Sequence, residues 1–179
     1  SPGAGKSTLS AAIAAEIVRN GNRVAIVAYD PMSPISSGAL LGDRLRVDFN
    51  SVDENVFYRS LARVGEDYGT LPEILDLVGG AGFDHVIVET VGAGQNDVAI
   101  RTLVDETVVV LVPGMGDAVQ MDKAGILEIA DIFVVNKADY EGESALVREL
   151  LDIANGRPIF ETIATQSKGV IELLDRLFC

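Results

Sequence analysis

The chain has 179 residues, enough for one domain with a real core, and 48% are hydrophobic, which excludes a disordered tail. A formal net charge of -13, with no Lys/Arg cluster, argues against a nucleic-acid surface, because a phosphate backbone would be repelled. The one Cys, Cys179, excludes a disulfide scaffold and points to a reducing cytosol. No stretch approaches the roughly eighteen consecutive apolar residues of a membrane span.

Residues Ser1-Pro2-Gly3-Ala4-Gly5-Lys6-Ser7-Thr8 read as the end of the pattern G-x-x-x-x-G-K-[ST]. The first glycine of that pattern, and the strand that feeds such a loop, would lie upstream of Ser1, so the stretch reads as a piece cut inside the motif. Gly3 and Gly5 permit backbone conformations that aim successive N–H groups at phosphate. Lys6 can reach the β- and γ-phosphates, and the Ser7 hydroxyl can ligate Mg2+. Pro2, Gly3, Ala4, Gly5, Lys6, Ser7 and Thr8 are therefore the phosphate-binding candidates. An Ala-rich helix is expected over residues 7–20, stopped by Gly21, with its positive dipole end at the phosphates.

Val- and Ile-rich runs at 23–29, 84–89, 106–112, 131–135 and 158–163 predict buried strands, with a short strand at 56–60. Helical stretches are expected at 38–46, 71–78, 96–104, 123–129, 144–155 and 169–178. The alternation predicts an α/β three-layer P-loop NTPase fold, a doubly wound, mostly parallel sheet with helices on both faces. Ligands of such sheets bind beyond the carboxyl ends of the strands.

Those ends carry polar motifs. Asp30 and Glu89 each close a buried run, where a carboxylate beside a phosphate loop suits Mg2+; a turn or helix-cap carboxylate is the other reading. Glu89-Thr90-Val91-Gly92 stands where many GTPases carry Asp-x-x-Gly, so the Gly92 N–H could sense the γ-phosphate. Gln95 could orient the attacking water, or be a surface loop residue. Asn136-Lys137-Ala138-Asp139 is the N-K-x-D guanine-reading pattern. The Asp139 carboxylate can accept from guanine N1–H and the exocyclic amine, donors that adenine does not offer in that arrangement. Thr162-Ile163-Ala164 fits the place where a backbone N–H covers guanine O6, which makes Ala164 a candidate. His85, the only His, reads as a strand-edge side chain, and Phe49, Phe57, Tyr58 and Tyr68 as packing residues.

Four stretches together resemble the MeaB/ArgK GTPases. They are Asp30-Pro31-Met32-Ser33-Pro34 with residues 38–44; residues 89–95; Pro113-Gly114-Met115-Gly116-Asp117 with Gln120 and residues 123–126; and residues 128–131 running into 136–139. Members of that family are chaperones of adenosylcobalamin-dependent methylmalonyl-CoA mutase and its relatives. An older name makes them transport ATPases or kinases for basic amino acids. The resemblance implies GTP/GDP and Mg2+ as cofactors, and slow hydrolysis coupled to loading or protecting an acyl-CoA mutase. It implies a cytoplasmic setting, or the mitochondrial matrix in a eukaryote, and a homodimer at full length. By the same resemblance Asp30, Asp43 and Glu89 match acidic positions around Mg2+ and the switches, and Lys123 matches a lysine in a third, partner-sensing segment. Residues 1–179 then form one G domain, lacking the family's N- and C-terminal helical segments. The chain departs from the family at Met32-Ser33, at Ile35-Ser36-Ser37-Gly38 and at Ile163, where the family carries serine.

Three other readings stay open. A nickel-delivering GTPase would want His and Cys donors, of which the chain has one each. A transport ATPase conflicts with Asn136 to Asp139, and a remnant that binds nucleotide poorly fits the incomplete phosphate loop.

Overall fold

The computed structural model describes residues 3–31, 54–63, 68–90, 95–114 and 126–178. The helix expected at 38–46 lies outside them. The chain divides into two compact units, one of Ser10–Val91, the other of Ser1–Leu9 with Gly92–Cys179.

In the Ser10–Val91 unit, strand β1 (Val24–Pro31) lies between β2 (Val56–Arg63) and β3 (His85–Thr90), parallel to both. Residues Val24 to Tyr29 are all buried, as a central parallel strand covered on both faces requires. Helix α1 (Lys6–Arg19) runs into this unit and buries Ile13, Ala14 and Ile17, positions spaced for one helical face. It ends where the glycine predicts. Gly21 is left-handed (φ 83°), its N–H donates to Val18 O, and Asn22 N–H reaches back to Ile17 O. Helix α2 (Leu71–Gly80) buries Leu71 and Val78. Tyr68 is buried and meets Tyr29 edge-on at 5.3 Å, but Phe57, expected to pack, is 40% exposed. β2 runs to Arg63, three residues past its expected end, because Leu61, Ala62 and Arg63 continue the register against Tyr29, Asp30 and Pro31.

In the other unit β5 (Ile132–Asn136) lies between β4 (Val108–Leu111) and β6 (Ile159–Thr162), again all parallel. All five residues of β5 are buried. Phe133 and Val135 face a cluster with Val109, Leu111, Ile129 and, from helix α4 (Glu143–Ile153), Leu146 and Leu150. Burying one such side chain stabilises the fold by roughly 1.5–3 kcal/mol. Helix α5 (Val170–Phe178) packs on β6 and buries Val170, Leu173 and Leu174.

Three further elements differ from the sequence expectation. Residues 96–104 are not an α-helix but a 3-10 helix at Gln95–Thr102, with Leu103 N–H donating to Ile100 O. Asn96, Asp97 and Thr102 are weak α-formers. β4 starts at Val108, later than expected, because the Thr107 carbonyl is taken by the N–H groups of Asp131 and Ile132. Of the helix expected at 123–129, the described part is the single turn α3 (Ile126–Ile129).

Candidate functional site

The described part of the site is built on the second unit, where the phosphate loop and the strand ends β5 and β6 meet through one side chain. Asn136 closes β5 and is 2% exposed. The β5–β6 register sets it beside Thr162, whose hydroxyl donates to Asn136 Oδ1 at 3.0 Å. The Ala164 N–H donates to the same oxygen at 3.2 Å. On its other side Asn136 Nδ2 donates to the Ala4 carbonyl at 3.0 Å. Both lone-pair directions of the amide oxygen are used, which fixes the side chain and ties three separate segments together.

Gly5 fits under this tie only because it lacks a side chain. Its φ is +78°, and a Cβ there would stand 2.5 Å from Asn136 Nδ2. Gly3 is also left-handed at φ 81°, so the loop has the backbone that turns N–H groups toward an anion. Ala4 is fully buried, while Lys6, Ser7 and Thr8 form the first turn of α1, with Leu9 N–H donating to Gly5 O.

Beyond β5 the chain turns sharply. Lys137 is left-handed (φ 58°), Ala138 N–H donates to Thr162 O, and Tyr140 N–H donates to Lys137 O. The turn leaves Asp139 exposed and Lys137 half-buried. The Lys137 stem passes the phosphate loop, with Cε 4.0 Å from where a Gly5 Cβ would lie. Its ammonium stands over the Tyr140 ring, 5.5 Å from the centroid. After β6, Ile163 and Lys168 exchange both backbone hydrogen bonds and close a small loop around the 3-10 turn Ala164–Gln166. Gly169 closes this loop at φ 72°, where a Cβ would come within van der Waals overlap of the Glu161 carbonyl. Glu161 shares a hydrogen bond with Glu143; that bond, partial burial and the like charge raise its pKa, against a lowering by Lys168.

Phosphate-loop and base-loop candidates thus come together: Gly3, Ala4, Gly5, Lys6, Ser7 and Thr8 on one side, Asn136, Lys137, Asp139 and Ala164 on the other. Asp30 and Glu89 belong to the Ser10–Val91 unit, at the carboxyl ends of the neighbouring strands β1 and β3. Glu89 is 7% exposed; the Asp30 side chain lies outside the described residues. Gln95 starts the 3-10 helix, and its side chain also lies outside them, as do Pro2, Asp43, Gly92 and Lys123. Among the described residues no three His, Cys, Asp or Glu gather as a cation cage. Mg2+ at a phosphate site takes one or two protein ligands plus water and phosphate, so such a cage is not required, and Ser7 is the candidate ligand in this unit. Sequence reasoning placed Thr162 in the base-covering stretch but missed its bond to Asn136, and it missed Tyr140, which follows the motif and is 56% exposed.

The model of the family "Methylmalonyl Co-A mutase-associated GTPase MeaB" matches residues 1–177. A relative in Pyrococcus abyssi, named as a GTPase, is 45% identical over 190 aligned residues, covering 98% of this chain and 59% of the relative. GTPase ArgK of Escherichia coli is 37% identical, covering 86% of this chain and 48% of its own length. The mouse protein named methylmalonic aciduria type A homolog, mitochondrial, is 40% identical over 77% of this chain and 34% of its own. The chain therefore spans little more than half of the archaeal relative's length. The hydrogenase maturation factor HypB from Archaeoglobus fulgidus superposes with a TM-score of 0.69 at 23% identity, over 98% of this chain and 83% of its own. HypB from Helicobacter pylori, solved in complex with nickel, gives 0.66 at 19%, over 99% and 81%. At such identity these two show the fold alone, the expected three-layer α/β P-loop class. Together with the phosphate-loop and base-loop geometry, the family match over nearly the whole sequence shows that this chain belongs to the MeaB family of methylmalonyl-CoA mutase-associated GTPases.

Proposed function

We propose that this chain binds GTP and GDP with Mg2+, hydrolyses GTP slowly, and serves in its full-length protein as a switch for an adenosylcobalamin-dependent acyl-CoA mutase. The observation that carries the nucleotide reading is the Asn136 tie. One buried amide joins the Ala4 carbonyl, Thr162 and Ala164, so the phosphate loop and the base loop are held in one fixed geometry. Lys6 and the loop N–H groups take the phosphates, and Ser7 takes Mg2+, with Asp30, Asp43 and Glu89 as its direct or water-bridged carboxylates. Asp139 reads the guanine edge, and the Ala164 N–H shares its bond with the base oxygen. Gly92 and Gln95 act at the γ-phosphate and the attacking water, and Lys123 in the partner-sensing segment. Slow turnover is supported by the family resemblance together with the lack of arginine in residues 91–95 and 113–125.

Residues 1–179 act here as the G domain of a homodimer in the cytoplasm, or in the mitochondrial matrix of a eukaryote. The mutase as partner is supported by the family's description and by the name of the mouse relative. No described helix is long and apolar enough to cross a membrane. The fold is shared with a nickel-complexed protein, but one His and one Cys give a soft-metal site few donors.

Calorimetry with Mg2+ tests the nucleotide reading by comparing GDP, a non-hydrolysable GTP analogue and ADP. Binding of guanine nucleotides alone is expected; ADP binding as tight as GDP would sink it. The partnership is tested separately, by whether the full-length protein changes cofactor loading of a purified mutase in a GTP-dependent way.

A further inference from the structure

The turn after β5 places three side chains of different character on adjacent positions. Lys137 and Tyr140 are the first and fourth residues of a turn closed by Tyr140 N–H to Lys137 O at 3.0 Å. Asp139 lies between them and is exposed. A lysine two residues from an aspartate can swing its four-carbon stem onto the carboxylate. Here it does not: the Lys137 ammonium sits over the Tyr140 ring and makes no ion pair with Asp139. The stem instead runs past Gly5. The Tyr140 ring is 56% exposed, so most of its surface is not taken up by core packing.

We propose that Tyr140 is a positioning residue of the base site: its ring holds the Lys137 ammonium and so keeps the Asp139 carboxylate uncommitted for a guanine edge. The inference rests on the guanine reading above. The left-handed backbone of Lys137 aims the stem along the phosphate loop, and the ring faces the stem's charged end with its electron-rich surface. Without the ring, the nearest anion to the ammonium within the turn is Asp139. An ion pair there occupies the oxygens that N1–H and the exocyclic amine need. Such a pair is surface-exposed and weakened by salt, which gives it a signature. A phenylalanine serves as well as the tyrosine, because the ring and not the hydroxyl faces the ammonium.

The test uses the full-length protein, with Tyr140→Phe and Tyr140→Leu compared by GDP and IDP titration at low and high salt. Tyr140→Phe is expected to stay within about 2-fold of wild type, while Tyr140→Leu weakens GDP binding by about 2- to 5-fold at low salt. That loss shrinks at high salt, and the preference for GDP over IDP narrows, since IDP lacks the exocyclic amine. A second readout needs no nucleotide. The Lys137 ε-methylene protons are shifted upfield by the ring in wild type and Tyr140→Phe, and return to the ordinary lysine position in Tyr140→Leu. Equal GDP affinities for the two variants, or an unchanged Lys137 shift in Tyr140→Leu, overturn the inference. A wild type that holds ADP as tightly as GDP overturns the guanine reading and this inference with it. A retained guanine preference with no difference between Phe and Leu removes the inference alone.

Discussion

At the amino end of the sheet β2-β1-β3, Asp84 accepts the Arg23 N–H at 2.8 Å, and the Arg23 carbonyl accepts from the N–H groups of Asp84 and His85. At the amino end of β4-β5-β6, Asp131 accepts the Thr107 N–H at 2.8 Å, and the Thr107 carbonyl accepts from Asp131 and Ile132. In both sheets an aspartate just before one strand clasps the residue just before its parallel neighbour. An arginine guanidinium completes each end, stacked on a phenylalanine and bonded to carbonyls at the end of a helix. Arg23 uses Phe83 with Ala81 and Gly82, and Arg157 uses Phe133 with Ala154 and Ala130. The carboxyl ends are built differently. β1 and β3 carry the carboxylates Asp30 and Glu89 one residue before their ends, while β5 and β6 close on the neutral Asn136 and Thr162. Shared joinery at the amino ends holds register; the carboxyl ends differ in chemistry. In the proposed function a metal ion suits the carboxylates, whereas a base needs a rigid neutral frame that leaves its reading carboxylate unpaired.

The comparison breaks most readily at Asn136. Asn136→Ala removes three buried hydrogen bonds and leaves their partners unsatisfied. A loss of about 3 kcal/mol in urea unfolding is expected, along with GDP affinity too weak to measure by calorimetry. Gly5→Ala comes next. Its Cβ meets an amide that three bonds hold in place, at a φ that L side chains resist. About 1–3 kcal/mol of strain and at least a 10-fold loss of GDP affinity are expected, with the fold retained by circular dichroism. Asp84→Ala and Asp131→Ala sharpen the amino-end half of the comparison. Each should lower stability by about 1–2 kcal/mol and, for Asp131, leave GDP affinity within 2-fold in fluorescence titration. Unequal losses would mean that the Arg101–Asp131 pair, 2.7 Å apart and partly exposed, adds more than a surface ion pair does.

The smallest effect concerns a carboxyl pair beside the neutral frame. Glu161 holds its proton above the ordinary glutamate range because it shares a hydrogen bond with Glu143. The native state therefore binds more protons than the unfolded one, and this pair's contribution falls as pH rises through that range. Glu143→Gln should gain on wild type between about pH 4 and pH 7, by less than about 1 kcal/mol because Glu161 is exposed. Urea midpoints at the two pH values check it.

Much of this was legible in the sequence, for a reason visible residue by residue. The strands are continuous Val/Ile runs, and Gly21 and the Gly-Lys-Ser turn are local signals that need no tertiary partner. What escaped is what depends on distant residues. Asn136 read as part of a base-recognition motif; its role as a tie needed Ala4, a partner 132 positions away. Arg23 and Arg157 carry no pattern that separates a clamp from a solvated charge. The 3-10 form of Gln95–Thr102 hid behind a helical periodicity that both helix types satisfy in part. The Asp43 and Lys123 assignments rest on resemblance and that of Asp30 on a strand end as well, with all three side chains outside the described residues.

The span of the Asn136 tie also sets an order of events during synthesis. The glycine turn leaves the ribosome early in this stretch, yet the amide that fixes it arrives 132 residues later, and Thr162 later still. At roughly 5–20 residues per second the turn waits many seconds for its partners. A nascent chain can therefore finish the sheet β2-β1-β3 while it is unable to retain nucleotide. In the proposed function, competence to hold nucleotide arrives late, when β6 docks beside β5.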